Sequence, residues 1–179
     1  MASPDHPDEI EHRASQLYAG RSAMAEASPP SRRLGIAEIV QFLSDPQHVL
    51  SDDQQRELFV NQQLRADYRR LKAQLSLVDL PALAAASTGA VTLRRFDGGT
   101  VNIHPSRRPG QVYVVIRLAP PKPELRTLLL ENAAGELVKR PLPPTDASGE
   151  IMIVLDEANS GDQKLLRLMS DPMATGAFL

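Results

Sequence analysis

The chain has 179 residues, of which 42% are hydrophobic and 23% charged, enough for one ordinary core or two small ones. A formal net charge of -2, balanced in both halves, denies it the clustered positive surface that phosphate binding needs, so no nucleic-acid partner is expected. With no cysteine, disulfides, thiolate metal sites and cysteine nucleophiles are excluded.

Residues 1–35 are polar and broken by Pro4, Pro7, Pro29 and Pro30. A short helix over 8–26 is compatible with the thin apolar face of Ile10, Leu17, Tyr18 and Met24. Around it, a flexible segment is expected, ending in the linker-like Ser28–Gly35. Residues 36–80 read as a helical hairpin. Ile36, Ile39, Val40 and Leu43 give its first helix one face, and Asp45-Pro46 stops it. Its second helix opens at a capping box, Ser51 with Gln54, and Asp52 and Asp53 suit the positive end of the helix dipole. From there Val60, Leu64, Tyr68, Leu71, Leu75 and Val78 recur as a single helical stripe, closed by Pro81. Residues 81–89 are small and read as a linker.

From residue 90 the period changes to two. Strands are expected at Val91–Phe96 and Thr100–His104 around Asp97-Gly98-Gly99, then at Gln111–Leu118, Arg126–Glu131, Glu136–Arg140 and Glu150–Leu155. Six or seven short strands predict an antiparallel β-sandwich over 90–179, so the fold class is α+β: a helical hairpin followed by a sandwich. Residues 162–169 fit a short helix or a last strand, and the tail from Ser170 reads as loose.

Chemistry is sparse along this chain. His6, His12, His48 and His104 have no metal-ligand spacing, and no catalytic, metal or cofactor residues are expected. No Gly-x-Ser-x-Gly elbow is present. The acidic pair Asp52-Asp53 is explained by the helix start, and Asp156-Glu157 by a solvated turn before Asn159-Ser160-Gly161. Two basic doublets stand out, Arg32-Arg33 in the linker and Arg107-Arg108 in a loop. They read as surface charge or as protease-accessible sites. The longest apolar run is far below the roughly 20 residues that span a bilayer. The N-terminus carries no basic start followed by an apolar core. A cytoplasmic protein without a membrane partner is expected.

The stretches "FLSDP", "LSDDQQRELF" and "LRADYRRLKAQL" within Ile39–Leu75 resemble the N-terminal helical module of bacterial anti-sigma factors. The resemblance covers about a quarter of the chain. The His and two Cys of the zinc-bearing members are missing here, and no transmembrane helix follows. It implies a regulator that sequesters a sigma-type factor through Val60, Leu64, Tyr68, Leu71 and Leu75, with the β-domain as sensor or docking unit. A second expectation, from the linker composition and a looser similarity, is a substrate, inhibitor or accessory subunit of a caspase-like bacterial protease or defence system. It would be cut at Arg32, Arg33, Arg107 or Arg108.

Overall fold

The structure, a computed structural model, describes residues 33–83, 91–122 and 124–179. Helix α1 spans Ile36–Ser44 and ends where Asp45, ahead of Pro46, turns to an extended conformation. It buries Ile39, Phe42 and Leu43 and leaves Ile36 and Val40 exposed, so its inner face is rotated toward Phe42 from the one expected. Helix α2 spans Asp52–Val60. Its capping box is formed: Ser51 Oγ accepts from the Gln54 N–H (3.3 Å), and Gln54 Oε1 accepts from the Ser51 N–H (3.0 Å).

The predicted single stripe from Val60 to Val78 is broken. Asn61 leaves the helical region, ends α2, and caps a new helix α3 (Gln62–Leu75) by accepting from the N–H groups of Gln63 and Leu64. Val60 therefore closes α2 and points to solvent at 83% exposure. Val78, expected at the stripe's end, lies instead in a strand, β1 (Val78–Leu80).

Seven more strands follow: β2 (Leu93–Phe96), β3 (Gly99–Pro105), β4 (Gln111–Leu118), β5 (Thr127–Glu131), β6 (Leu137–Pro141), β7 (Glu150–Asp156) and β8 (Thr175–Phe178). Helix α4 (Ser160–Ser170) separates β7 from β8. They form two antiparallel four-stranded sheets, sheet I in the order β1-β8-β5-β6 and sheet II in the order β2-β3-β4-β7. The β2–β3 turn is Asp97-Gly98, where Gly98 takes a φ of 88°. The tail read as loose is β8, seated between β1 and β5, with Phe178 fully buried. Gly176 permits this close seat: a Cβ there would stand 2.5 Å from the Leu129 carbonyl oxygen.

One apolar core lies between the sheets. Sheet I gives it Leu128, Leu130 and Phe178; sheet II gives it Val101, Val114, Ile116, Ile151 and Leu155. Helix α4, crossing from one sheet to the other, adds Leu165, Leu168 and Met169. A second core lies on the outer side of sheet I, where Leu129 and Leu137 meet Ile39, Phe42, Leu43, Leu58 and Tyr68 of the helices. Strand β5 is thus buried on both faces, which explains its unbroken Leu128-Leu129-Leu130 run. The helical segment and the sheets are one unit, Leu34–Leu179, in three layers: helices, sheet I, sheet II.

Candidate protein-interaction face

Sheet I has its outer face covered by helices. The outer face of sheet II has no such cover among the described residues. The antiparallel registers place its side chains in rows across the strands. One row reads Leu93, Asn102, Val115, Met152 from β2 to β7, and the next reads His104, Tyr113, Val154. Leu93 is 39% exposed, Met152 55% and Val154 46%, while Tyr113 and Val115 between them are half-buried. Tyr113 and Val115 of β4 adjoin Met152 and Val154 of β7 as one apolar patch, with Leu93 beyond Asn102 on β2, and adjoining side chains carry more information than scattered ones.

Charge frames the patch. Below it lies the row Arg95, Thr100, Arg117, Glu150. Arg117 pairs with Glu150 across β4 and β7 (2.8 Å). Arg95 has no hydrogen-bond or ion-pair partner among the described residues. Above it, Asp156 stands opposite Gln111. The free edge of β7 is blunted at both ends. The Glu150 N–H donates to Asp146 Oδ1 (2.8 Å) and the Asp156 N–H to Asp162 Oδ2 (3.0 Å). These caps leave little edge for strand addition, so the exposed feature is the face rather than the edge.

The helical stripe is placed differently. Tyr68 is 1% exposed, packed with Leu129 and Leu137 of sheet I, and Leu64 and Leu71 pack against the same core. The Tyr68 hydroxyl donates to Glu131 (3.1 Å), whose carboxylate also takes the Lys72 ammonium. Burial, and next Glu131, push the Tyr68 phenol well above its ordinary pKa. Tyr68 and Glu131 line a cleft of about 280 Å³ between α3 and β5, and with Lys72 they satisfy one another. Val60 and Leu75 alone of the five stripe positions face solvent.

Of the arginine doublets, Arg32 lies outside the described residues, Arg33 is exposed, and Arg107 and Arg108 are exposed in the β3–β4 loop. That loop is tied: the Ser106 N–H donates to the Gln111 carbonyl (3.0 Å) and the Gln111 N–H to the Arg108 carbonyl (3.3 Å). His104 is exposed at the end of β3, beside Tyr113. His48 Nε2 is buried, has no hydrogen-bond partner among the described residues, and lies 3.7 Å from Glu38. His6 and His12 lie outside the described residues, among which no three His, Asp or Glu side chains gather as a metal site.

Two cations, one buried and one half-buried, escaped the sequence reading. Arg94 is 2% exposed and donates to the carbonyls of Met169 (2.8 Å), Ala174 (2.9 Å) and Asp171, closing the C-terminal end of α4. Lys139 of β6 does the same for α1, donating to the carbonyls of Phe42, Asp45 (2.6 Å) and His48 (2.7 Å), with the Phe42 ring 4.5 Å away. Burial pushes the Lys139 ammonium down to about 8, against the opposing pull of Asp45. Both cations hold helices onto the sheets. Adjacent arginines on a strand point to opposite faces, so the pair Arg94-Arg95 was the available signal that one of them turns inward.

No helix of the described residues is long and apolar enough to cross a membrane. Comparison of the chain with protein-family models, with curated proteins and with solved structures finds no match.

Proposed function

We propose that this chain is a non-catalytic regulatory protein that binds another protein through the outer face of sheet II. The observation that supports the reading is the exposed apolar patch of Met152 and Val154 beside Tyr113 and Val115, with Leu93 exposed at the far edge, on a sheet whose opposite face is already spent on the core. Side chains of this size on a rigid sheet offer a partner apolar contact at little cost in ordering. The complementary surface is apolar at its centre, with an acidic group to meet Arg95. A sigma-type factor clasped by the helical stripe would have to displace sheet I from Tyr68. The face of sheet II asks for no such rearrangement.

Site-specific photo-crosslinking in the host tests the reading. A photoreactive residue at Val154 should give an adduct with a protein, whereas one at Val60, more exposed than Val154 but on the helical side, should give none. Adducts at Val60 with none at Val154 would move the site to the helices and refute the proposal.

A further inference from the structure

The uncovered face of sheet II is complementary to itself. We infer that a second copy of this chain occupies it, in a two-fold arrangement with the axis parallel to the strands, between β3 and β4. The inference rests on reading this face as an interface.

A two-fold axis along the strands keeps each row at its own height and exchanges the two edges of the sheet. Strand β2 of one copy then lies over β7 of its partner, and β3 over β4. The consequences follow from the registers. Leu93 meets Met152, two exposed apolar side chains in one row. His104 meets Tyr113. In the charged row, Arg95, which has no partner among the described residues of its own copy, meets Glu150. Glu150 would then lie between Arg117 of its own copy and Arg95 of the other, and the contact is made twice. The alternative axis, across the strands, inverts the rows and sets Glu150 over Asp156, acid upon acid. Charge therefore selects the axis along the strands.

Size sets the strength. Four strands about 4.8 Å apart and four rows deep give a footprint of roughly 500 Å² per copy, against about 800 Å² in an interface of standard size. The dimer is accordingly weak and dependent on concentration, and any other protein that binds this face competes with it.

Sedimentation equilibrium of the full chain, from about 5 to about 500 µM, is the test, because that range brackets the micromolar affinities of small interfaces. The wild type should shift from monomer to dimer. Arg95→Glu and Glu150→Arg should each weaken the dimer at least about tenfold, because each replaces two opposite-charge contacts by two like-charge ones. An equimolar mixture of the two variants should recover the dimer, since the mixed pair has two opposite-charge contacts again, one as in the wild type and one with the charges exchanged. Both positions lie at the surface, so neither variant is expected to unfold the chain. A wild type that stays monomeric throughout overturns the self-association and leaves the face to be judged by crosslinking at Val154. A dimer indifferent to both substitutions, or a mixture that fails to recover, overturns the arrangement. A Met152→Asp variant that still dimerises as the wild type does removes the face itself as the interface.

Discussion

The guanidinium of Arg94 should be among the most costly single groups to remove from this fold. Its three acceptors do not all depend on it equally. The Asp171 carbonyl also receives the Ala174 N–H (3.2 Å) and keeps a partner without Arg94. The Met169 carbonyl has no replacement in its own helix, because residue 172 is proline and the Met173 N–H is already donated to the Asp171 carboxylate (2.8 Å). The Ala174 carbonyl, in a residue that is fully buried, is likewise left without a donor. Two buried carbonyls at about 1–3 kcal/mol each, with the vacated volume added, put Arg94→Ala at about 3–5 kcal/mol. That is a large part of the roughly 5–15 kcal/mol that holds a domain together. Arg94→Lys should lose about half as much, since Nε, Nη1 and Nη2 of the planar fork each meet a separate carbonyl, and a lysine would have to reach all three from a single nitrogen. Arg95→Ala, on the outward face of the same strand, should stay within about 0.5 kcal/mol. Urea unfolding at neutral pH, with the slope checked for constancy, measures all three. If Arg94→Ala costs under about 1 kcal/mol, or no more than Arg95→Ala, the three-carbonyl clamp is not what fixes α4 and β8.

The other consequences concern the helical layer and the exposed loop. Lys139→Met strands the Phe42 and His48 carbonyls and should cost about 2–4 kcal/mol at pH 7. Because the folded-state value of Lys139 lies near 8, below that of an unfolded lysine, the unfolded chain holds the extra proton between about pH 8 and 10.5. Wild-type stability should therefore rise relative to Lys139→Met across that window, and parallel pH curves would contradict the assignment. Tyr68 has the opposite sign. Its phenol is raised, so the unfolded chain releases its proton first above about pH 10 and stability falls, a fall that Tyr68→Phe should lessen in alkaline unfolding curves. Asn61→Ala removes the cap between α2 and α3 and should lower the urea midpoint by an amount equivalent to about 1 kcal/mol. Trypsin in limited digestion should spare Arg107 despite its exposure, because the loop's hydrogen bonds to Gln111 resist the extended conformation a protease needs, while the bond after Arg108 is protected by Pro109 in any case; an early cut after Arg107, read by mass spectrometry, would show otherwise.

Local chemistry made much of this fold legible. The capping box at Ser51, the stop at Pro46 and the Asp97-Gly98 turn each rest on neighbours in sequence, and each forms as expected. What was not legible depends on contacts distant along the chain. The break at Asn61 looks like a helix interior until its side chain caps two N–H groups, and the stripe's spacing continues across it by coincidence. The segment Thr175–Phe178 carries no periodic signal, since Gly176 and Ala177 are there to fit closely beside β5 rather than to fill space. The candidate face was hidden for a related reason. Strands β4 and β7 are apolar on both faces, so a period of two reveals the strands but not which set of side chains looks outward. That choice is made by the topology, which puts Ile151, Ile153 and Leu155 against sheet I and leaves Met152 and Val154 outside.

On the proposed reading, the two outer faces of the sandwich separate stability from recognition. Leu129 and Leu137, on the outer side of sheet I, are fully engaged by the helices, and shortening either should cost the few kcal/mol of a buried leucine. Met152 and Val154 occupy the equivalent side of sheet II and bury much less of themselves. Replacing either by threonine should leave the unfolding free energy within about 0.5 kcal/mol, because a half-exposed strand position gains little from apolar area. A surface that the fold does not need for its own stability can change its contacts without unfolding the chain. On that ground a variant such as Val154→Thr, neutral in urea, should still reduce adduct formation by a photoreactive residue at Met152. Equal adduct yields with and without the valine would mean that the patch is merely exposed and that recognition lies elsewhere on the molecule.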